Sequence, residues 1–288
     1  MGIVYIKELK CRFTSLIDYI FIGFMFFFTG LFSLVLNLKN GYPNFEYIIT
    51  DWLYIVPFIF LVSILTMRMF AEERRQKTDQ LLYSLPMKLS SVVLGKYFAA
   101  LTVFAVTILG MSVIPLILSQ YGKVNFTQTY SSILAFFFMG AAMIAIGMFA
   151  STLTAYQTVS MVISSGLLLA MLLMEYIDFF PATKTASLIG FIVLAIVLAF
   201  IVFLMSKNAL YSLVGGVFLI AAVLAVYLIK DNIFEAAFPT LLKKISFYSR
   251  FEMFAAGFFD IGAIVYYISA AFLFIFLSVQ SLEKRRYN

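Results

Sequence analysis

The chain of 288 residues has no histidine, a single cysteine (Cys11), a single tryptophan and six prolines. Without histidine there is no Ser-His-Asp triad and no His/Cys metal site, and one cysteine cannot build a disulfide framework. Charge is scarce as well. Charged residues make up 12% of the chain, against about 25% in a typical soluble domain. The apolar stretches contain no paired carboxylates, which argues against an intramembrane protease or acyltransferase. Gly95-Lys96 lacks the upstream glycine and the following Ser or Thr of a phosphate-binding loop. The composition therefore predicts a non-catalytic chain with no cofactor of its own.

What is present is apolar residue in long runs, 64% of the sequence. A membrane span needs about 20 apolar residues at 1.5 Å rise each. That ruler places spans at Tyr19–Leu36, Trp52–Met67, Tyr97–Leu118 and Ile133–Leu153, then at Thr158–Met174, Ser187–Met205, Ala209–Ile229 and Ile261–Gln280. Read as one helix, the sixth and seventh would run about 65 Å, twice the hydrocarbon core, so a tight hairpin is expected there. The fold class is all-α, a polytopic membrane helix bundle of about eight spans, with six spans plus a re-entrant pair as the alternative.

The net charge of +6 sits at the ends of the apolar runs, where it orients a membrane protein and does not point to nucleic acid. With the N-terminus inside, the inner segments hold thirteen of the 20 basic residues: Lys7, Lys10, Arg12, Arg68, Arg74, Arg75, Lys77, Lys88, Lys96, Lys207, Lys284, Arg285 and Arg286. The excess predicts cytoplasmic N- and C-termini. Residues 3–13 alternate apolar and basic positions at helical spacing. They read as an interfacial helix carrying Lys7, Lys10 and Arg12, not as a cleavable leader. Residues 230–260 place Phe234, Phe238, Phe247, Phe251, Phe254 and Phe258 at helical spacing. They read as an extracytoplasmic amphipathic loop, an interfacial anchor or an outer gate.

Ion-coupled transporters carry ionisable residues at mid-membrane. Here the polar residues within spans are hydroxyls, among them Thr66, Thr102, Thr107, Ser112, Ser160 and Ser164, expected to bond their own helix backbones. Pro57 and Pro115 mark expected kinks. Gly140, Ala141, Gly147 and Ser151 form a small-residue surface on the fourth span, suited to close helix packing within one subunit or between two. With no ion-coupling site, uphill work would need a partner. The largest surface for one is the charged stretch Arg68–Lys96 between two spans. Helix formers after Phe70, the apolar pair Leu81 and Leu82, and the stop at Pro86 predict a charged helix over 70–86.

That stretch, R-M-F-A-E-E-R-R-Q-K-T-D-Q-L-L-Y-S-L-P followed by V-V-L-G-K-Y, resembles the first inner loop of ABC-2 type transporter permeases, especially the gliding-motility-associated subfamily. The similarity rests on Arg68, Phe70, Ala71, Glu72, Glu73, Arg74, Thr78, Leu81, Leu82, Pro86, Gly95, Lys96 and Tyr97. It extends to Ile146-Gly147, Ser151, Leu153-Thr154 and Gln157, and to Ser281–Arg286. Residues 1–288 would then form a single ABC-2 transmembrane domain in a bacterial cytoplasmic (inner) membrane.

The resemblance implies a permease subunit of an exporter whose ATP and Mg are bound by a separate ABC ATPase, present in two copies. A second permease copy or a paralogue would complete the pair, in contact with membrane lipid and open to an accessory membrane protein. Residues 70–86 would be a coupling helix. Glu72 and Glu73 would pair with the ATPase or tie the helix to the N-terminal segment. Arg74, Arg75 and Lys77 would meet an acidic surface, Thr78, Leu81 and Leu82 would fill the docking cleft, and Pro86 would end the helix. Arginine at both 72 and 73 is expected to weaken ATPase binding and leave folding intact. The competing functions are a membrane scaffold for an ATPase-driven machine and an ATP-independent channel.

Overall fold

The computed structural model describes residues 2–39, 44–78, 88–175, 183–206, 209–229, 236–255 and 260–286. Among them every regular element is helical. The helices are α1 (Gly2–Phe13), α2 (Leu16–Phe32) with a π-helical continuation (Ser33–Leu38), α3 (Glu46–Thr50), α4 (Trp52–Thr66), α5 (Ala71–Arg75), α6 (Leu89–Met111) and α7 (Ile114–Leu118). They continue with α8 (Phe126–Leu153), α9 (Gln157–Leu173), α10 (Lys184–Ser206), α11 (Ala209–Ile229), α12 (Ala237–Ile245), α13 (Phe247–Ala255) and α14 (Ile261–Arg286). Four segments, Leu16–Leu38, Leu89–Leu118, Phe126–Leu153 and Ile261–Arg285, are long and apolar enough to cross a membrane. Shorter apolar helices accompany them at Trp52–Thr66, Gln157–Leu173, Lys184–Ile196 and Gly215–Ala225.

The chain divides into two compact units, residues 1–170 with 250–288, and residues 171–249. In the first, α8 is the core. The window that would cross the membrane is 78% buried in α8 and 22% buried in α2 and α14. Helices α3, α4, α6 and α14 pack around α8, and α2 packs on α4 and α6. An aromatic cluster fills the centre. Phe58 lies 4.5 Å from Phe136 and 5.8 Å from Phe104, and Tyr54 and Phe251 each stand about 6 Å from Phe136. Lipid tails are as apolar as these rings, so the cluster holds by dispersion between close-packed atoms and not by removal from water.

Small residues on α8 set the helix spacing. A Cβ on Gly140 would overlap the Phe104 ring of α6, and one on Gly147 would overlap Thr66 of α4. The Ala141 carbonyl accepts from Tyr97 Oη at 3.1 Å, and Ser151 Oγ donates to Met148 O. The surface expected to serve packing within or between subunits is filled at Gly140 and Gly147 by this chain's own helices.

Local signals account for several ends. Asp51 caps α4 by accepting Leu53 N–H at 2.8 Å, and Asn125 caps α8 through Gln128 N–H. Ser112–Val113 interrupts the third apolar run and Pro115 opens α7, where its missing N–H costs nothing. Span hydroxyls bond backward to their own helices, as Thr66 does to Val62 O and Thr107 to Val103 O. Ser160 Oγ departs from this, being buried with no partner among the described residues.

In the second unit α10 packs on α11 and α12. Gly216 lies against Ala199 and Gly190 against the Phe238 ring, so the long apolar stretch is two packed helices and not one. Within residues 230–260, helices α12 and α13 form as expected, but their aromatic faces point into protein. Phe238, Phe247, Phe251 and Phe254 are buried, while Leu241, Ile245 and Met253 of the same helices are exposed. Phe234 and Phe258 lie outside the described residues.

Candidate functional site

One end of the first unit gathers α1, α5, the first turns of α2 and α6, and the last turn of α8. Helix α1 lies along α6. They approach closely at Gly95, where a Cβ would sit 3.0 Å from Val4 Cγ1, and Tyr5 Oη meets Thr102 Oγ1 at 2.9 Å. This approach brings Glu8 to Lys96, one residue beyond Gly95.

Lys96 is 4% exposed. Its Nζ stands 3.2 Å from Glu8 Oε1 of α1 and 2.8 Å from Glu73 Oε1 of α5. The Phe70 ring centroid lies 5.2 Å from the same ammonium. A buried cation is tolerated only with such compensation. Alongside, Arg12 Nη1 donates to Asp18 Oδ1 at 3.0 Å, with both side chains largely buried. These pairs border a polar cleft of about 340 Å³ lined by Lys7, Glu8, Arg12, Arg68, Glu72 and Lys96 among others.

Helix α5 is short because of how it ends. Thr78 N–H reaches Glu73 O at 3.0 Å and Lys77 N–H reaches Arg74 O at 3.2 Å, while Lys77 takes φ 58°. This is the six-to-one and five-to-two closure of a Schellman cap, with a lysine where glycine is usual. Among the described residues the expected helix over 70–86 is interrupted: α5 stops at Arg75 and Lys77 is left-handed. Leu81, Leu82 and Pro86 lie outside the described residues.

The expected site residues separate into two groups. Glu73 bonds Lys96, Glu72 faces Arg68 at 3.6 Å, and Arg74 Nη1 donates to Leu153 O at 3.2 Å. Arg285 Nη2 reaches the same carbonyl at 3.0 Å, and Arg68 Nε donates to Gln157 Oε1 at 3.3 Å. Two guanidinium groups at the C-terminus of α8 suit the negative end of its dipole. Arg75, Lys77 and Thr78, by contrast, are exposed. On α1, Lys7 and Lys10 are exposed, whereas Arg12 is buried against Asp18 and is no free surface cation.

Three sequence stretches thus meet in space: Arg68–Arg74 with Lys96, Gln157 with the end of α8, and the end of α14. A family model described as ABC-2 family transporter protein matches residues 29–187, more than half of the 288-residue chain. The chain belongs to that family. No curated protein and no solved structure matches it.

ABC-2 transporter proteins are membrane components of ABC transporters, generally partnered by an ABC ATPase and typically non-catalytic. In this ABC-2 protein the matched region contains α5 and Lys96, while Glu8 and Arg12 precede it. In the sequence Lys96 stands among the orienting charges and in the Gly95-Lys96-Tyr97 part of the family resemblance, and Glu8 carries no signal. A faint signal existed in Gly95-Lys96, since a glycine ahead of a lysine at the start of a long helix permits a second helix to approach.

The double arginine replacement at 72 and 73 also needs revision. Arginine at 73 would set a second cation beside the buried Lys96, so in this ABC-2 protein the change disturbs the fold before it tests any docking.

Proposed function

We propose that this chain is the permease subunit of an ATP-driven exporter, with about eight spans and both termini in the cytoplasm of a bacterial inner membrane. It falls, by the sequence of its first inner loop, in the gliding-motility-associated branch. Two copies of a separate ABC ATPase bind ATP and Mg, and a second permease copy or a paralogue completes the assembly. The observation that carries this reading is the α5 turn. Glu73 and Arg74 fasten it to the bundle, which leaves Arg75, Lys77 and Thr78 as an exposed basic tip. Such a tip suits an acidic cleft on a soluble partner. ATP-driven closure of the ATPase pair then moves the tip, and the spans follow.

The test is purification of the tagged chain from its native membranes in mild detergent, with identification of what accompanies it. A stoichiometric P-loop ATPase supports the proposal, and ATP-dependent efflux from reconstituted vesicles separates an exporter from a scaffold. Recovery of the chain alone, or with a partner that is no ATPase, overturns it.

A further inference from the structure

We infer that Lys96 is the positioning residue that makes α1, α5 and the third span move as one body, and so passes the motion of the docked tip into the membrane. The inference rests on the permease reading above and adds a residue to it.

Three elements meet at one ammonium group. Lys96 stands in the second turn of α6, which begins at Leu89. Glu8 approaches from α1 and Glu73 from α5. The Lys96 side chain is 5% exposed, against 17% for Glu8 and 27% for Glu73. The cation is thus the innermost of the three and the carboxylates close over it. Close approach of α1 is secured independently at Gly95 and by the Tyr5–Thr102 hydrogen bond.

The ratio of charges matters more than either pair. Two carboxylates share one cation, so removing a carboxylate still leaves a neutral pair with Lys96. Removing the cation leaves two carboxylates facing each other in a half-buried site, where like charges repel or must be protonated. Glu8 and Glu73 are then driven apart, and α1 leaves α5. Lys96 is accordingly the residue on which the three-way joint depends, and the two glutamates are individually less important. The load path has a second branch, Arg74 to Leu153 O to Arg285, which ties α5 to α8 and α14. That branch does not involve Lys96, so without the lysine α5 stays tied to α8 and α14 while its link to α1 and to the start of α6 is lost; α6 itself remains packed on α8.

The experiment uses the full chain, in complex with its co-purified ATPase, in a Cys11→Ser background. Spin labels are placed in pairs at exposed positions, Lys10→Cys with Gln76→Cys for α1 and α5, and Gln76→Cys with Phe98→Cys for α5 and α6. With Lys96 present, both distances are single and unchanged by ATP, because the three elements travel together. In Lys96→Met both distances broaden and shift on adding ATP, with ATPase recovery unchanged, and Lys96→Arg restores the single distances. Glu8→Gln, a milder change that retains the Lys96–Glu73 pair, broadens the first distance and leaves the second alone.

Single, ATP-insensitive distances in a folded Lys96→Met overturn the inference, whatever Glu8→Gln shows. If wild-type chain brings down no ATPase, the permease reading fails on its own. The widths of the two distance distributions in the isolated chain then still decide the joint. Should Lys96→Met not fold, Glu8→Gln alone decides: a broadened first distance with an unchanged second supports the joint, and two unchanged distances refute it.

Discussion

Arg74 and Arg285 converge on one acceptor, the Leu153 carbonyl oxygen at the end of α8, at 3.2 and 3.0 Å. A single helix C-terminus is thereby capped by α5 and by the last helix, α14. Because either guanidinium alone can satisfy that carbonyl, Arg74→Ala or Arg285→Ala is expected to cost about 0.5 kcal/mol each at this exposed site. The double variant should cost more than the sum, which a thermal-unfolding double-mutant cycle in detergent would measure.

Glu73→Arg should destabilise the chain by about 3 kcal/mol, the lower end of the range for breaking a buried pair, since Glu8 still faces Lys96. Glu72→Arg, at the more exposed Arg68–Glu72 contact, should cost no more than about 1 kcal/mol. Unfolding midpoints of the two single variants check the contrast. Equal losses would show that Glu73 is not the structural carboxylate.

Arg75→Glu combined with Lys77→Glu changes only exposed side chains. Stability should hold to within about 0.5 kcal/mol per site, while recovery of the ATPase with the tagged chain should fall at least tenfold. Unimpaired recovery would remove the basic tip from the docking surface.

Lys77→Gly relieves a left-handed residue at φ 58°. Glycine carries no Cβ penalty there, so about 1 kcal/mol of stabilisation of the loop end is expected. Hydrogen exchange at the Thr78 amide, which closes the cap onto Glu73 O, should slow correspondingly.

Gly147→Leu forces a side chain into Thr66 and Gly140→Leu forces one into Phe104. Both should destabilise the monomer by roughly 1–3 kcal/mol through overpacking. Chemical crosslinking would show whether oligomeric state changes as well. Loss of a dimer without loss of monomer stability would return this seam to the subunit interface.

Much of the fold was legible because hydropathy and helix formation are local. The helix starting at Trp52 and the helix pair Lys184–Ser206 and Ala209–Ile229 follow the apolar runs closely. Helices α6 and α8 begin seven or eight residues earlier than hydropathy indicated, at Leu89 and Phe126, because a helix continues through polar residues once its neighbours support it. The early end of α5 was not legible, since Lys77 has no compositional mark of a left-handed residue. The charged residues between α4 and α6 stand out in the sequence as a group, but their division into inward and outward members does not.

From sequence alone came the membrane environment, the helical class and the charged stretch between two apolar runs, each a sum of per-residue or short-range properties. The tertiary structure alone decided which charges are joints and which are surface. Lys88 and Lys96 stand eight residues apart at the same end of α6 and carry the same charge, yet Lys88 is exposed and Lys96 is 4% exposed between two carboxylates. The difference comes from Glu8 and Glu73, brought in by α1 and α5. Pairing energy depends on the positions of both partners, and a linear sequence records only one of them at a time.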